Sequence, residues 1–362
     1  MDALILGLGA FLLISYAIMQ TYLTWLLCRS TWASAPTLSV PLPVLMATRN
    51  EEPYLPQTLD SLAKQSLPLH WVGVEDGSVD ATPQIWSQWA HHHPKRVTWM
   101  RLQEGQRRAP GKLGALLAAE EILPRAPYFL VADADMLFPA SWAEGLVAVL
   151  ESNPALGGVC APSLPRERTL WEAFQRIETA ATLYLIAASQ SRGQIVTAIG
   201  NSLALRWVAW QSIGGWRSLP PTLVEDYALL VALQQAGWRF QWVWHPAVLG
   251  ETRAEPTFGR WHQQRLRWRQ AVGQVTGLSL FYWSVQSLVP WVVLFLWQGW
   301  AWGVFLAAEL LPLWRWRQIT GARRVLRYLP LLGAYRFLQG AWLVYLYFAR
   351  SPIRWKGRQY AP

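Results

Sequence analysis

Three short apolar runs, "VPLPVLMAT" (residues 40–48), "HWVGVED" (70–76) and "PYFLVADAD" (127–135), each stop abruptly in polar residues and are separated by longer mixed segments. Helical spacing over residues 59–67 fills one of those segments. Short apolar strands alternating with helices predict an α/β domain on a mainly parallel sheet, with ligands at the carboxyl ends of the strands. The polar ends of the runs therefore mark the first place to look for chemistry.

The flanks are of a different texture. Residues 3–27 carry no charge and are long enough to cross a ~30 Å hydrocarbon layer. A cleaved signal peptide would need a basic stretch before its apolar core; only Asp2 stands there, so an uncleaved span is expected. Arg29 follows it, which by the positive-inside tendency puts the rest of the chain in the cytoplasm. Residues 278–313 are apolar apart from Glu309, long for one span and suited to a tight pair. A basic loop is expected next (Arg315, Arg317, Arg323, Arg324, Arg327), then residues 328–348, interrupted by Arg336, and a basic tail. Both basic segments cannot be cytoplasmic if one full span separates them, so either 328–348 is re-entrant or the charge rule fails here.

The whole chain of 362 residues is 52% hydrophobic and 15% charged, with a net charge of +10 and 25 tryptophans. Greasy and basic together point to an anionic lipid bilayer, where indoles collect at the interface, and no basic stripe on a polar surface points to nucleic acid. The expected organisation is a transmembrane helix in 1–30, a cytoplasmic domain in 40–257, an amphipathic interfacial helix in 258–277, two or three spans in 278–350 and a basic tail in 351–362. The expected location is the inner (plasma) membrane, multi-pass. Two cysteines, Cys28 and Cys160, form no C-x-x-C pair, so neither a disulfide framework nor a zinc site is implied.

Asp133 and Asp135 end the third run with one alanine between them. Two carboxylates so placed can serve one hard divalent cation together with phosphate oxygens; alone, the pair reads equally well as a turn. Glu225-Asp226 precedes a helical segment and on its own equally suits an acidic first turn. Gln264, Arg267 and Trp268 fall at i, i+3 and i+4 on one helix face, with Arg265, Arg269 and Trp261 as flanks suited to a membrane interface. His91-His92-His93 has no facing acid and reads as a solvated loop. The segment 171–188 carries Glu172, Arg176 and Glu178, which favours a buried or interfacial helix over a span.

Taken in order, "ATRNEEPYLPQTLDSL", "GVEDGSVDATPQIW", "GKLGALLAAEE", the D-x-D, "VEDYALL" and "QQRLRW" resemble family 2 glycosyltransferases with a GT-A fold, over residues 41–269. The resemblance implies a nucleotide-sugar donor, UDP-hexose above all, and Mg²⁺ or Mn²⁺. It implies that Asp76 accepts from the base, with Arg49 and Glu51 beside it, that Lys112 meets the diphosphate, that Asp133 lies near ribose and metal, and that Asp135 is the main metal ligand. Asp226 becomes the general base of a single inverting displacement, with Gln264, Arg267 and Trp268 at the acceptor. The segments "AIGNSLALR" (198–206) and "IGGW" (213–216) read as turn and core elements; the same likeness places them beneath the acceptor, with Asn201 and Trp216 as contacts there. Family members usually read D-D-G-S where this chain has Glu75-Asp76-Gly77-Ser78, and often Thr where it has Val224.

About 85 residues follow Gly277, little material for a polysaccharide channel. A phosphate acceptor is already ionised and needs no base, so a general base favours an alcohol. The closing "IRWKGRQY" (353–360) resembles the ceramide glucosyltransferase-like branch, which includes hopanoid- and carotenoid-associated enzymes, and implies a carotenoid or similar terpenoid or sphingolipid-like alcohol. The competing expectations are a polysaccharide or polyprenyl-phosphate transferase and a non-catalytic nucleotide-sugar-binding membrane subunit.

Overall fold

The computed structural model describes residues 2–27, 30–31, 38, 40–103, 105–191, 193, 195, 197–272, 278–296, 299–320, 329–348, 353–355 and 358–360. Arg29, Cys28, Arg323, Arg324, Arg327 and the 273–277 end of the expected interfacial helix lie outside them.

Strands run in chain order as β1 (Leu42–Thr48), β2 (Leu69–Glu75), β3 (Val97–Arg101), β4 (Tyr128–Asp133), β5 (Leu156–Cys160), β6 (Ser163–Pro165), β7 (Ser202–Arg206), β8 (Arg239–Trp242) and β9 (Gly250–Thr252). Seven of them form one sheet in the order β3-β2-β1-β4-β7-β5-β8, and β6 pairs with β9. The sequence runs of β1, β2 and β4 are continuously apolar because both faces are covered, and these strands are buried along nearly their whole length. That is the signature of parallel strands between two helix layers.

The helices are α1 (Asp2–Leu26), α2 (Leu55–Ala63), α3 (Thr82–His92), α4 (Gly111–Ala119), α5 (Trp142–Ser152), α6 (Leu170–Ser191), α7 (Trp207–Ser212), α8 (Glu225–Gln235), α9 (Phe258–Val272), α10 (Leu278–Leu296), α11 (Gly299–Thr320) and α12 (Leu329–Phe348). Alternate residues of the strands feed two cores. Leu45, Val72, Val74, Phe129, Val131 and Leu205 pack with α4, α6, α7 and α8, while Val44, Met46, Trp71, Leu130 and Ala204 pack with α2, α3 and α5. Phe129 shows the quality of the packing: it is fully buried, with the rings of Trp207 and Trp210 edge-on at 5.9 and 5.4 Å.

Register brings the polar ends together. Thr48 is level with Glu75, and Ala47 with Asp133. The sheet is mainly parallel, as expected, but β7 runs antiparallel to both β4 and β5. Its first residue, Ser202, is level with Ala132, so the loop just before β7 arrives at the same edge where β1, β2 and β4 end.

The terminal helices pack on one another. Residues 278–313 divide into α10 and α11, and α12 is unbroken over 20 residues. Glu309 and Arg336, whose side chains are nearly inaccessible, pair at 3.4 Å between α11 and α12. Tyr16 of α1 donates to Glu309, and Gln20 Nε2 donates to the Tyr16 hydroxyl at 2.7 Å. Arg315 and Arg317 correct the expected basic loop: both are in α11, and Arg315 donates to the Leu27 carbonyl at 2.6 Å. The opposite faces are bare of polar cover, with Leu4, Phe11, Ile18 and Trp25 of α1 and Leu288 and Phe295 of α10 all exposed. Among the described residues one helix, at Leu6–Leu26, is long and apolar enough to cross a membrane.

Candidate functional site

The turn after β2 holds Asp76 by its backbone and side chain at once. Its N–H donates to the Thr48 carbonyl at 2.8 Å, and Arg107 Nε meets its Oδ1 at 2.6 Å. Arg49 donates to the carbonyls of Asp76 and Gly77 at 2.5 and 3.0 Å, joining the ends of β1 and β2. Gly77 has φ of +67°, a conformation that glycine adopts without steric cost. Glu75 turns back into this loop. It accepts from the Ser78 N–H and pairs with Arg101 at 2.8 Å, so its carboxylate serves the turn. Glu51 is buried nearby, its N–H donating to Thr82 Oγ1 at 2.8 Å.

Lys112, in the first turn of α4, joins two of the sequence motifs. Its Nζ lies 2.5 Å from Asp133 Oδ1, 2.8 Å from the Gly200 carbonyl and 3.8 Å from Glu225 Oε1. Burial opposes its charge, but Asp133 and Glu225 outweigh that and raise its pKa. Asp226 sits in the first turn of α8 with both carboxylate oxygens held by backbone N–H groups, Gly200 to Oδ2 and Tyr227 to Oδ1, each at 2.8 Å. Burial pushes the Asp226 carboxyl above the usual range despite those two donors and the charges of Lys112 and Arg267. Burial raises Glu225 as well, with Lys112 pulling the other way.

Asp135 lies just beyond β4 and pairs with Arg253 Nε at 2.9 Å. Asp133 and Asp135 thus supply hard oxygen donors one residue apart, each already facing a cation of the chain. Among the described residues no group of three His, Cys, Asp or Glu side chains could cage a metal. A D-x-D pair suits an ion that takes one or two carboxylates and fills its remaining positions with phosphate oxygens and water, as Mg²⁺ does.

The Q-x-x-R-W residues lie on α9. Gln264 Nε2 donates to Glu255 Oε1 at 3.2 Å, Arg267 acts electrostatically on both Glu225 and Asp226, and Trp268 is 41% exposed. Arg265 corrects an expectation: it does not face the bilayer. It is buried, donating through Nε to Glu178 Oε1 at 2.8 Å and through a second nitrogen to Oε2, while Trp261 Nε1 donates to the same Oε2 at 2.8 Å. Its guanidinium lies 4.3 Å from the Trp268 ring centroid. The buried pair clamps α9 to α6, and breaking such a pair by removing one partner costs about 3–5 kcal/mol. Glu178→Ala should lower stability by that order in a urea titration of the detergent-solubilised chain; an unchanged midpoint would mean the pair is solvated.

Trp216 is 1% exposed, with its backbone N–H donating to Glu120 Oε1 at 2.7 Å, so it belongs to the core, as the turn-and-core reading of its segment expects, and not to an acceptor surface. Asn201 stays at the edge, its side chain donating to Ser163 Oγ at 3.0 Å. Sequence reasoning missed Arg107, Arg253, Glu255 and Glu178. Arg107 differs in no visible way from its neighbour Arg108, which pairs with exposed Glu121. Arg253, directly after β9, carried a usable signal, since it ends a strand on the site's side.

Comparison with known proteins agrees with this geometry. The chain is similar in fold to the mannosyltransferase PcManGT from Pyrobaculum calidifontis in complex with GDP-Man and Mn²⁺, with a TM-score of 0.57 and 20% identity over 97% of this chain and 99% of that one. S. aureus TarS 1–349 in complex with UDP-GlcNAc gives a TM-score of 0.45 and 13% identity, over 89% and 97% of the two chains. No curated protein matches the sequence. The sequence model of glycosyl transferase family 2 matches residues 44–205. That of glycosyl transferase family group 2 matches residues 128–349, more than half of the chain. A GT-A sheet whose D-x-D, E-D and Q-x-x-R-W segments meet at one edge, all three inside the match that spans more than half of the chain, makes this chain a member of family 2 of the glycosyltransferases.

Proposed function

We propose that the protein moves a sugar from a nucleotide-sugar to the hydroxyl of an apolar membrane lipid, once and with inversion. The observation that carries this reading is the placement of Asp226, its carboxylate oriented by two backbone N–H groups and tied through Lys112 to the D-x-D strand. A base so placed serves an alcohol, whose proton it accepts as the oxygen attacks the anomeric carbon and the bond to the diphosphate breaks. One base and a single displacement invert the centre.

The donor, a UDP-hexose in this proposal, lies over Arg49, Glu51 and Asp76 with its diphosphate toward Lys112. Asp133 and Asp135 hold Mg²⁺ or Mn²⁺, which when bound stabilises the charge of the leaving nucleotide. The GDP-Man and Mn²⁺ of the P. calidifontis enzyme are of the same donor and cation classes. Arg267 steadies the diphosphate and Trp268 offers a face to the acceptor, with Gln264 set by Glu255. Residues 40–257 are proposed to be cytoplasmic, α9 to lie in the interface, and α1 with two or three spans within 278–350 to cross the inner membrane. The exposed apolar faces of α1 and α10 support this, because a soluble surface rarely leaves so much large apolar area uncovered. The tail resemblance favours a carotenoid or related terpenoid alcohol.

The test is the enzyme in nanodiscs with labelled donor and four acceptors: a hydroxylated carotenoid, a hopanoid alcohol, ceramide and a soluble oligosaccharide. A lipid alcohol should be glycosylated once, with inverted configuration. A ladder on the oligosaccharide would make the chain a polysaccharide synthase, and cation-dependent nucleotide binding without transfer to any acceptor would leave only a binding subunit. Anionic lipid should stimulate modestly, at ~1 kcal/mol per basic contact, since Arg265 is buried on Glu178 and Arg315 is engaged with the Leu27 carbonyl.

A further inference from the structure

The three acids at the donor end of the sheet each face a cation of the same chain, Asp76 with Arg107, Asp133 with Lys112 and Asp135 with Arg253. Arg253 differs from the others in how firmly it is placed. Leu137 and Glu251 exchange two backbone hydrogen bonds, at 2.7 and 2.9 Å, in an antiparallel bridge. Asp135 stands two residues before Leu137 and Arg253 two residues after Glu251. In an antiparallel pairing those positions face each other on one side, because side chains alternate with a period of two. On its other flank, the Arg166 N–H donates to the Thr252 carbonyl at 2.9 Å. The guanidinium rests 4.9 Å from the centroid of the Tyr54 ring. Burial opposes its charge, but Asp135, Glu51 and Glu255 together raise its pKa.

We infer that Arg253 is a positioning residue that competes with the divalent cation for Asp135, so that cation and nucleoside diphosphate bind together far better than the cation binds alone. This rests on the reading of Asp135 as a cation ligand given above. In the donor-free protein the guanidinium occupies one oxygen of Asp135 and repels a second positive charge. A diphosphate offers both the cation and Arg253 a new anion, and Glu51 and Glu255 keep the side chain compensated while it yields Asp135. Glu255 also accepts from Gln264, so the same arginine stands between the D-x-D loop and α9.

The experiment titrates Mn²⁺ into the full-length chain in detergent, followed by electron paramagnetic resonance, without nucleotide and with UDP or, in a second arm, GDP. Arg253→Gln should bind Mn²⁺ alone about tenfold more tightly than the unaltered protein, and nucleotide should add correspondingly less; coupled sites commonly differ by ~5–150-fold. Arg253→Lys, which keeps the charge and loses the guanidinium fork, should fall between the two and replaces the glutamine variant if that one does not fold. Equal Mn²⁺ affinity of the unaltered protein and the variants, with binding still lost in Asp135→Asn, overturns the competition and leaves the cation reading intact. Mn²⁺ binding with nucleotide that is indifferent to Asp135→Asn overturns both.

Discussion

Asp226→Asn is expected to leave donor binding nearly unchanged and to lower turnover by ~10²–10⁴, the range that removal of a general base costs. The asparagine keeps the shape and one oxygen acceptor for the N–H groups of Gly200 and Tyr227, so the loss is one of basicity and not of architecture. The pH dependence gives a second readout. Burial raises the Asp226 carboxyl, and a protonated carboxyl cannot accept the acceptor's proton. Activity of the unaltered enzyme should therefore fall with falling pH at values above the ordinary ~3.9 of an aspartate, and this limb should vanish in the variant. A parallel loss of donor affinity would make Asp226 part of the donor or cation shell instead.

Asp135→Ala should abolish transfer and cation-dependent donor binding, by at least about 10³-fold, because several kcal/mol of charge stabilisation go with the cation. The fold should survive. Asp135 lies beyond the end of β4 and outside both cores, and Arg253 retains Glu51 and Glu255 as neighbouring charges. Circular dichroism and thermal unfolding check the fold, and a labelled donor with Mg²⁺ or Mn²⁺ checks the activity. Near-normal transfer by the unaltered enzyme in EDTA would remove the cation from the reading.

The strands and the edge they share were legible because buried parallel strands are written as unbroken apolar runs that stop at their functional ends, as at Thr48, Glu75 and Asp133. The reversal of β7 was not. Its segment, "SLALR", is as apolar as a parallel strand, and direction is decided by which neighbours the chain can reach. The acids of the site could be named in advance because their spacing is local. Their partners could not: Arg107 and Arg253 meet Asp76 and Asp135 across 31 and 118 residues, and one arginine looks like another until the fold chooses. Arg265 shows the opposite failure, since its place in a basic, tryptophan-rich helix gave every sign of a surface residue, while a buried glutamate on α6 drew it inward.

Gly200 shapes what substitution can do to this enzyme. The reversed β7 delivers its N–H to Asp226 and its carbonyl to Lys112. Both are main-chain contacts, which side-chain replacement elsewhere cannot delete. A Cβ at this position would stand 3.3 Å from Asp226 Cβ and Glu225 Oε1 and 3.4 Å from Lys112 Nζ, so another residue here presses on the Glu225-Asp226 pair, which must give by a few tenths of an ångström. Asp226 is thus aimed by the one kind of group that mutation seldom touches. On the function proposed above, drift in the loops and in α9 can proceed around these main-chain contacts, so a lineage built on this edge can exchange one acceptor for another without rebuilding the catalytic step.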